Sequence, residues 1–251
     1  MQPLTSGNLR LAATIVLMRE TGLGPEVFMT QRPGGVDFPD LHVFPGGKVD
    51  QQDFLPDLVV GLDDGSASRQ LGIAAGGLRY WVAAIRECFE ECGVLLAYRD
   101  GQLLRLSDPE EVVRFEGYRE RLIGNSLTLE AVCAAENLQL AADRVVYFSH
   151  WVTPEQAPRR FDTRFFIAAM PDGQETLAHA WETADDEWVL PRDALAAHQA
   201  GRWQMIAPTL ITLASIAEFA DVQALLGAVA ADRHLPDLTD ELRRQGMHDL
   251  R

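Results

Sequence analysis

Uninterrupted apolar runs between glycine- and proline-rich turns organise the first part of the chain, and helical periodicity takes over later. Residues 11–18, LAATIVLM, are apolar throughout and rich in β-branched side chains, which predicts a buried strand. VFMTQR (27–32) alternates well enough for a second strand, and TGLGPE between the two predicts a hairpin turn. LHVFPGGKVD (41–50) begins as an apolar strand and runs into Pro45-Gly46-Gly47, a bend where missing side chains let backbone approach a ligand closely. Residues 54–77, with GLDDGSAS in the middle, predict an irregular, turn-rich insertion. From Leu78 to Cys92 the period becomes that of a helix. Trp81, Ile85, Cys88 and Cys92 form its apolar side with Val82 and Phe89 beside them, and Gly93 is its stop.

The later segments follow the same rules. VLLAY (94–98) predicts a strand and RDGQ a turn. Asp108 followed by Pro109 predicts a capped helix to Ile123, with a second helix over 127–137, so that residues 99–140 form a small helical annex. Strands are expected over 145–153, 161–171 and 180–190, the last with an acidic bend. A helix opened by Pro191 and a long apolar helix over 207–229 close the core, with a loosely held polar tail after Arg233. Short strands around helices, without regular alternation, argue for an α/β sandwich with a mixed sheet and a single domain over 1–251.

Composition narrows the function classes. With 22 basic and 37 acidic residues the net charge is −15, which disfavours non-specific binding to nucleic acid or an anionic membrane. A small phosphorylated ligand remains compatible, because a few arginines and a metal can hold one. Cys88, Cys92 and Cys133 have no second pair or nearby histidine to complete a zinc site, so they read as small core residues in a reducing, cytoplasmic setting. No apolar run reaches the ~18–20 residues of a membrane span, and the N-terminus lacks a basic-plus-apolar signal segment.

The chemistry concentrates on one helix face. Glu87, Glu90 and Glu91 are three and four residues apart and share a narrow stripe, with Ala83 and Ala84 leaving it free of bulk. Carboxylates ~5–6 Å apart repel by roughly 3 kcal/mol per pair at an effective dielectric of ~20. Either the stripe is a solvated face, where that cost is small, or a hard divalent cation removes it.

Together, Pro45-Gly46-Gly47 and RECFEECGV (86–94) resemble the Nudix hydrolases, whose box reads G-x5-E-x7-R-E-U-x-E-E-x-G-U with U aliphatic. Arg86, Glu87, Glu90, Glu91, Gly93 and Val94 match its second half, with Cys88 in an aliphatic slot. Counting forward from the glycine bend puts Gly47 and Asp53 in its first half, a shorter acid in place of glutamate, and leaves 54–85 where the pattern has seven positions. That interrupted box resembles the coenzyme A diphosphatase branch, as do HVFPGGKVD, WVTPEQAPRRFDTRFFIAAMP and ETADDEWVLPRDAL.

The resemblance implies an α/β/α sandwich, with Mg2+ or Mn2+ held by Glu87, Glu90 and Glu91, the Gly47 carbonyl and, as a further acid, Glu182. It implies hydrolysis of coenzyme A or acyl-coenzyme A to 3′,5′-ADP and (acyl-)4′-phosphopantetheine. Glu90 and Glu91 are alternative bases for the attacking water. Arg32, Gly46, Arg160 and Arg164 are substrate-binding candidates, and Arg86 is expected to brace the helix carboxylates. ADP-ribose, NADH or another dinucleotide is the alternative substrate, and a non-catalytic ligand sensor the alternative class. The expected partner is a small nucleotide, and the annex would serve equally as a lid or as the contact of a homodimer.

Overall fold

The structure is a computed structural model that describes residues 5–6, 9–31, 41–153, 155–157, 159–176 and 187–231. Strand β1 (Thr5–Ser6) leads into the long β2 (Leu9–Thr21), which turns back as β3 (Gly24–Gln31) in the expected hairpin. After β4 (His42–Val43) the glycine bend is itself a strand, β5 (Gly46–Lys48), paired with β2. A 3-10 turn over Gln51–Asp53 and another over Pro56–Leu58 precede α1 (Asp64–Leu71) and α2 (Leu78–Cys92). Then come β6 (Ala97–Arg99), β7 (Gln102–Leu103), α3 (Pro109–Ile123), α4 (Leu129–Glu136) and β8 (Leu138–Leu140). The hairpin strands β9 (Val145–Val152) and β10 (Arg160–Ala169) precede β11 (Glu187–Val189), α5 (Pro191–Gln199), α6 (Ala207–Ile216) and α7 (Val222–Ala230).

Contacts divide the chain into two compact units. The first is Met1–Ile15 with Pro45–Ala178, and the second is Val16–Phe44 with His179–Arg251. In the first, the leading half of β2 pairs with β5, Ala13 opposite Gly47 and Thr14 opposite Gly46. Its β9–β10 ladder carries an irregularity at Phe165/Phe166. Helix α2 buries its apolar side here. Trp81 donates its indole N–H to the Val145 carbonyl (2.9 Å) and meets Phe166 edge-on, with centroids 4.7 Å apart. Satisfying that N–H is what allows so large a side chain to be wholly buried. Phe89 meets Phe115 of α3 in the same edge-on way, so the annex packs on the back of α2.

In the second unit the trailing half of β2 pairs with β3, and β3 also pairs with β11 and β4. His42 stacks on Trp203 at 4.0 Å. The named ladders are antiparallel, and isolated parallel bridges join Leu41 to Gln204 and Val59 to Leu140. Strands and helices together make the mixed α/β sandwich that the chain's pattern implies.

Four segments depart from expectation, each because of a polar contact. The long helix over 207–229 is two helices meeting at 109°. Asp221 adopts extended backbone and caps α7 through the Ala224 amide, and the Glu20 carboxylate accepts the Val222 amide. The insertion contains α1, capped by Asp63 through the Ser66 amide. Residues 94–96 form no strand: the Gln174 side chain takes both the Leu95 amide and the Leu95 carbonyl. The glycine bend, finally, lies in a strand rather than a loop, because β2 supplies its partners. Of the expected strand over 180–190, residues 187–189 are seen as β11, and the rest lies outside the described residues. The three cysteines are buried and unpaired.

Candidate functional site

Helix α2 is capped at its start from the preceding helix and stopped at its end by a glycine. At its start Gly77 offers no side chain, and Asp64 of α1 does the capping instead. The Asp64 carboxylate accepts the Gly76 and Leu78 amides at 2.9 and 3.0 Å. At its end Gly93 takes a left-handed backbone (φ 74°), which stops the helix, and its amide bonds the Phe89 carbonyl.

Between those ends the acidic stripe faces β5. The Glu91 Oε2 accepts the Gly46 amide at 3.0 Å. Gly47 lies against Glu87 so closely that a Cβ there would stand 2.5 Å from Glu87 Oε1, so any side chain at this position would displace the Glu87 carboxylate. Arg86 lies among the acids. Its Nε and Nη2 grip both Asp53 oxygens (2.8 and 3.1 Å), its Nη1 reaches Glu87 (2.7 Å) and Glu90 (3.2 Å), and Nη2 also donates to the Lys48 carbonyl. Asp53 in turn closes the 3-10 turn by accepting the Asp50 amide, and it is 1% exposed. The arginine expected to brace the carboxylates is thus held by an aspartate that enters from the start of the insertion.

The charge does not balance. Burial, with Glu90 and Asp53 adding their repulsion, pushes the Glu87 carboxyl up to about 7 against the pull of Arg86. Burial also raises Glu90, again opposed by Arg86. Burial disfavours the Arg86 charge, but Asp53, Glu87 and Glu90 outweigh it and hold the guanidinium above its ordinary value. Arg86 faces three carboxylates, Asp53, Glu87 and Glu90, with Glu91 beside them.

Among the described residues no three His, Cys, Asp or Glu side chains converge closely enough to hold an ion as they stand. The chemistry of the donor set nonetheless fits a hard cation. It offers carboxylate oxygens on one helix face and a strand whose Gly47 lets the Glu87 carboxylate approach its backbone. Turning Glu87 and Glu90 from Arg86 toward an ion would complete the set.

The remaining candidates separate. Arg160 and Arg164 lie on β10. Arg160 donates to the Thr153 carbonyl, and Arg164 is buried, with Nη1 reaching the Leu71 carbonyl and the Tyr147 hydroxyl at 3.3 and 3.4 Å. Arg32 and Glu182 lie outside the described residues. Sequence reasoning missed Asp64 and the buried Arg119 of α3, whose guanidinium donates to the Glu90 and Glu91 carbonyls. Neither lies in a recognisable motif, and only the fold brings them to α2.

Comparison with known proteins places the chain in a family. A family model described as the NUDT19 Nudix domain matches residues 69–216, which take in α2 and the annex. The chain is 25% identical over 234 residues to the Xenopus laevis protein named acyl-coenzyme A diphosphatase NUDT19, covering 80% of this chain and 62% of that one. It is 25% identical over 213 residues to the Caenorhabditis elegans protein carrying the name nudix hydrolase 7, covering 84% and 62%. The chain therefore spans about 62% of the length of each of these curated relatives. A crystal structure of a NUDIX hydrolase from Alicyclobacillus acidocaldarius superposes with a TM-score of 0.68 at 26% identity, covering 87% of this chain and 96% of that one. With the glutamate stripe on a helix clasped between strand and annex, and a family match across most of that frame, the chain belongs to the Nudix hydrolases, in the family of the NUDT19 Nudix domain.

Proposed function

We propose that this protein is a metal-dependent diphosphatase acting on coenzyme A or an acyl-coenzyme A, releasing 3′,5′-ADP and (acyl-)4′-phosphopantetheine. The observation that carries the reading is the acid excess on α2. Glu87 and Glu91 face the Gly46–Gly47 strand, and Glu90 joins them through Arg86, which lies among the acids. In this reading Glu87, Glu90 and Glu91, with the Gly47 carbonyl, hold Mg2+ or Mn2+. Such an ion lowers the pKa of bound water and neutralises charge on the phosphates.

The chain's own residues do the rest. Asp53 keeps Arg86 on the helix face, so that Arg86 screens the acids from one another until an ion takes them over. The Gly46 amide fixes Glu91. Glu90 or Glu91 takes the proton of the attacking water. Glu182 is proposed as a further acid, and Arg32, Gly46, Arg160 and Arg164 as contacts for the nucleotide, where guanidinium forks suit phosphate oxygens. The name of the Xenopus relative supports the acyl-coenzyme A substrate.

Product analysis tests this. Purified protein is incubated with coenzyme A, an acyl-coenzyme A, ADP-ribose and NADH, with Mg2+, with Mn2+ and with chelator. Release of 3′,5′-ADP from the coenzyme A compounds, abolished by chelation, is expected. Turnover of ADP-ribose or NADH alone would move the assignment to those dinucleotides, and ligand binding without any turnover would make the protein a sensor.

A further inference from the structure

The annex, residues 99–140, has a role beyond completing the fold, and it rests on the metal-dependent reading above. The last turn of α2 contains Glu90 and Glu91, and a helix leaves its final carbonyls without partners of its own. Here the amide that would continue the ladder to Glu91 is diverted, because Leu95 N–H goes to Gln174 Oε1 instead. Arg119 of α3 fills the gap. Its Nε donates to the Glu90 carbonyl at 2.9 Å and its Nη2 to the Glu91 carbonyl at 3.1 Å. Arg119 is 4% exposed, so its guanidinium is placed by the annex core and not by solvent. Phe115, one turn earlier on α3, is 2% exposed and packs edge-on against Phe89 of α2.

One side chain thus fixes the backbone of two adjacent acids, one whose carboxylate takes the Gly46 amide of β5 and one whose carboxylate takes Arg86. A cation at a helix C-terminus also opposes the negative end of the helix dipole. We propose that Arg119 is a positioning residue: it holds the last turn of α2 in the geometry that lets Glu90 and Glu91 take a divalent ion, and so makes the annex part of the metal site. Lysine cannot replace it fully, since it lacks the planar fork that spans two carbonyls.

The test compares Arg119→Met and Arg119→Lys with Val132→Ala. Val132 is wholly buried in α4 of the same annex, and its truncation weakens packing while leaving the Arg119 side chain that bonds α2 in place. Mn2+ binding is measured by electron paramagnetic resonance, at a temperature where circular dichroism shows each variant folded. Outer supports of metal ligands typically govern affinity by about 10–100-fold. Arg119→Met is therefore expected to raise the Mn2+ dissociation constant about tenfold, Arg119→Lys by less, and Val132→Ala not at all. Turnover at saturating metal should stay within about threefold of the parent. Should Arg119→Met not fold, Arg119→Lys against Val132→Ala decides by the same measure. Unchanged Mn2+ affinity in folded Arg119 variants, or an equal loss in Val132→Ala, overturns the positioning role and leaves the hydrolase reading standing. Failure of the unaltered protein to bind Mn2+ overturns the metal-dependent reading, and this inference with it.

Discussion

Two arginine–carboxylate networks lie in the same compact unit and are built from the same residue types to opposite effect. In the annex, Arg99 and Arg114 share Glu111 and Glu136, two cations for two acids, and Tyr118 donates to Glu136 as well. The Arg114 hydrogen bond, with help from Tyr118 and Arg99, holds the Glu136 carboxyl below the ordinary glutamate value. On α2, Arg86 bonds Asp53, Glu87 and Glu90 together, and burial drives Glu87 up to about 7. A balanced network stabilises the state it is in. An acid-rich, buried one is strained until a further cation arrives, and that imbalance marks the site more clearly than the presence of glutamates does.

The contrast can be broken by substitution. The largest effect is expected from Glu90→Gln, which should lower hydrolysis by about 100-fold or more, beyond what outer supports of a metal cost. It removes repulsion and should leave the urea midpoint unchanged or raised. Full activity in that variant would reject the site. Arg86→Met comes next, because it strands buried acids; a loss of about 3 kcal/mol in urea unfolding is expected, and Mn2+ should restore more stability to the variant than to the parent. A variant as stable as the parent would show that Arg86 does not hold the site together.

Gly47→Ala forces Glu87 aside, since the added Cβ would sit 2.5 Å from its oxygen. About 10–100-fold lower turnover is expected with the fold intact, and unchanged kinetics would mean that Glu87 has room to spare.

The smallest effect belongs to the balanced network. Glu136→Gln should cost under about 1 kcal/mol at neutral pH and leave activity alone. Because the folded Glu136 carboxyl titrates below its unfolded value, its contribution is present above the unfolded value and is lost as pH falls through the folded one. The stability gap between parent and variant should therefore close in acid. A gap that persists there would assign the loss to packing rather than charge.

Much of the frame was legible in the chain. Periodicity located α2 at Leu78–Cys92, and the Asp108-Pro109 signal located α3, since both depend on residues a turn apart. The match of Arg86, Glu87, Glu90 and Glu91 to a known box identified the family before any coordinate. Local patterns failed where a distant polar group intervened. Asp221 and Glu20 split the apolar run over 207–229, Gln174 kept residues 94–96 out of a strand, and Asp63 capped a helix in an apparent loop whose Asp64 caps α2.

What the residues alone determined is the presence of the acid stripe and its spacing, because a helix repeats every 3.6 residues whatever surrounds it. What only tertiary structure decided is how that stripe is used: Asp53 on Arg86, Arg119 behind the last turn, and Gly47 against Glu87. Those contacts join residues that are tens of positions apart, and no local spacing encodes the burial that turns like charges into a demand for a cation.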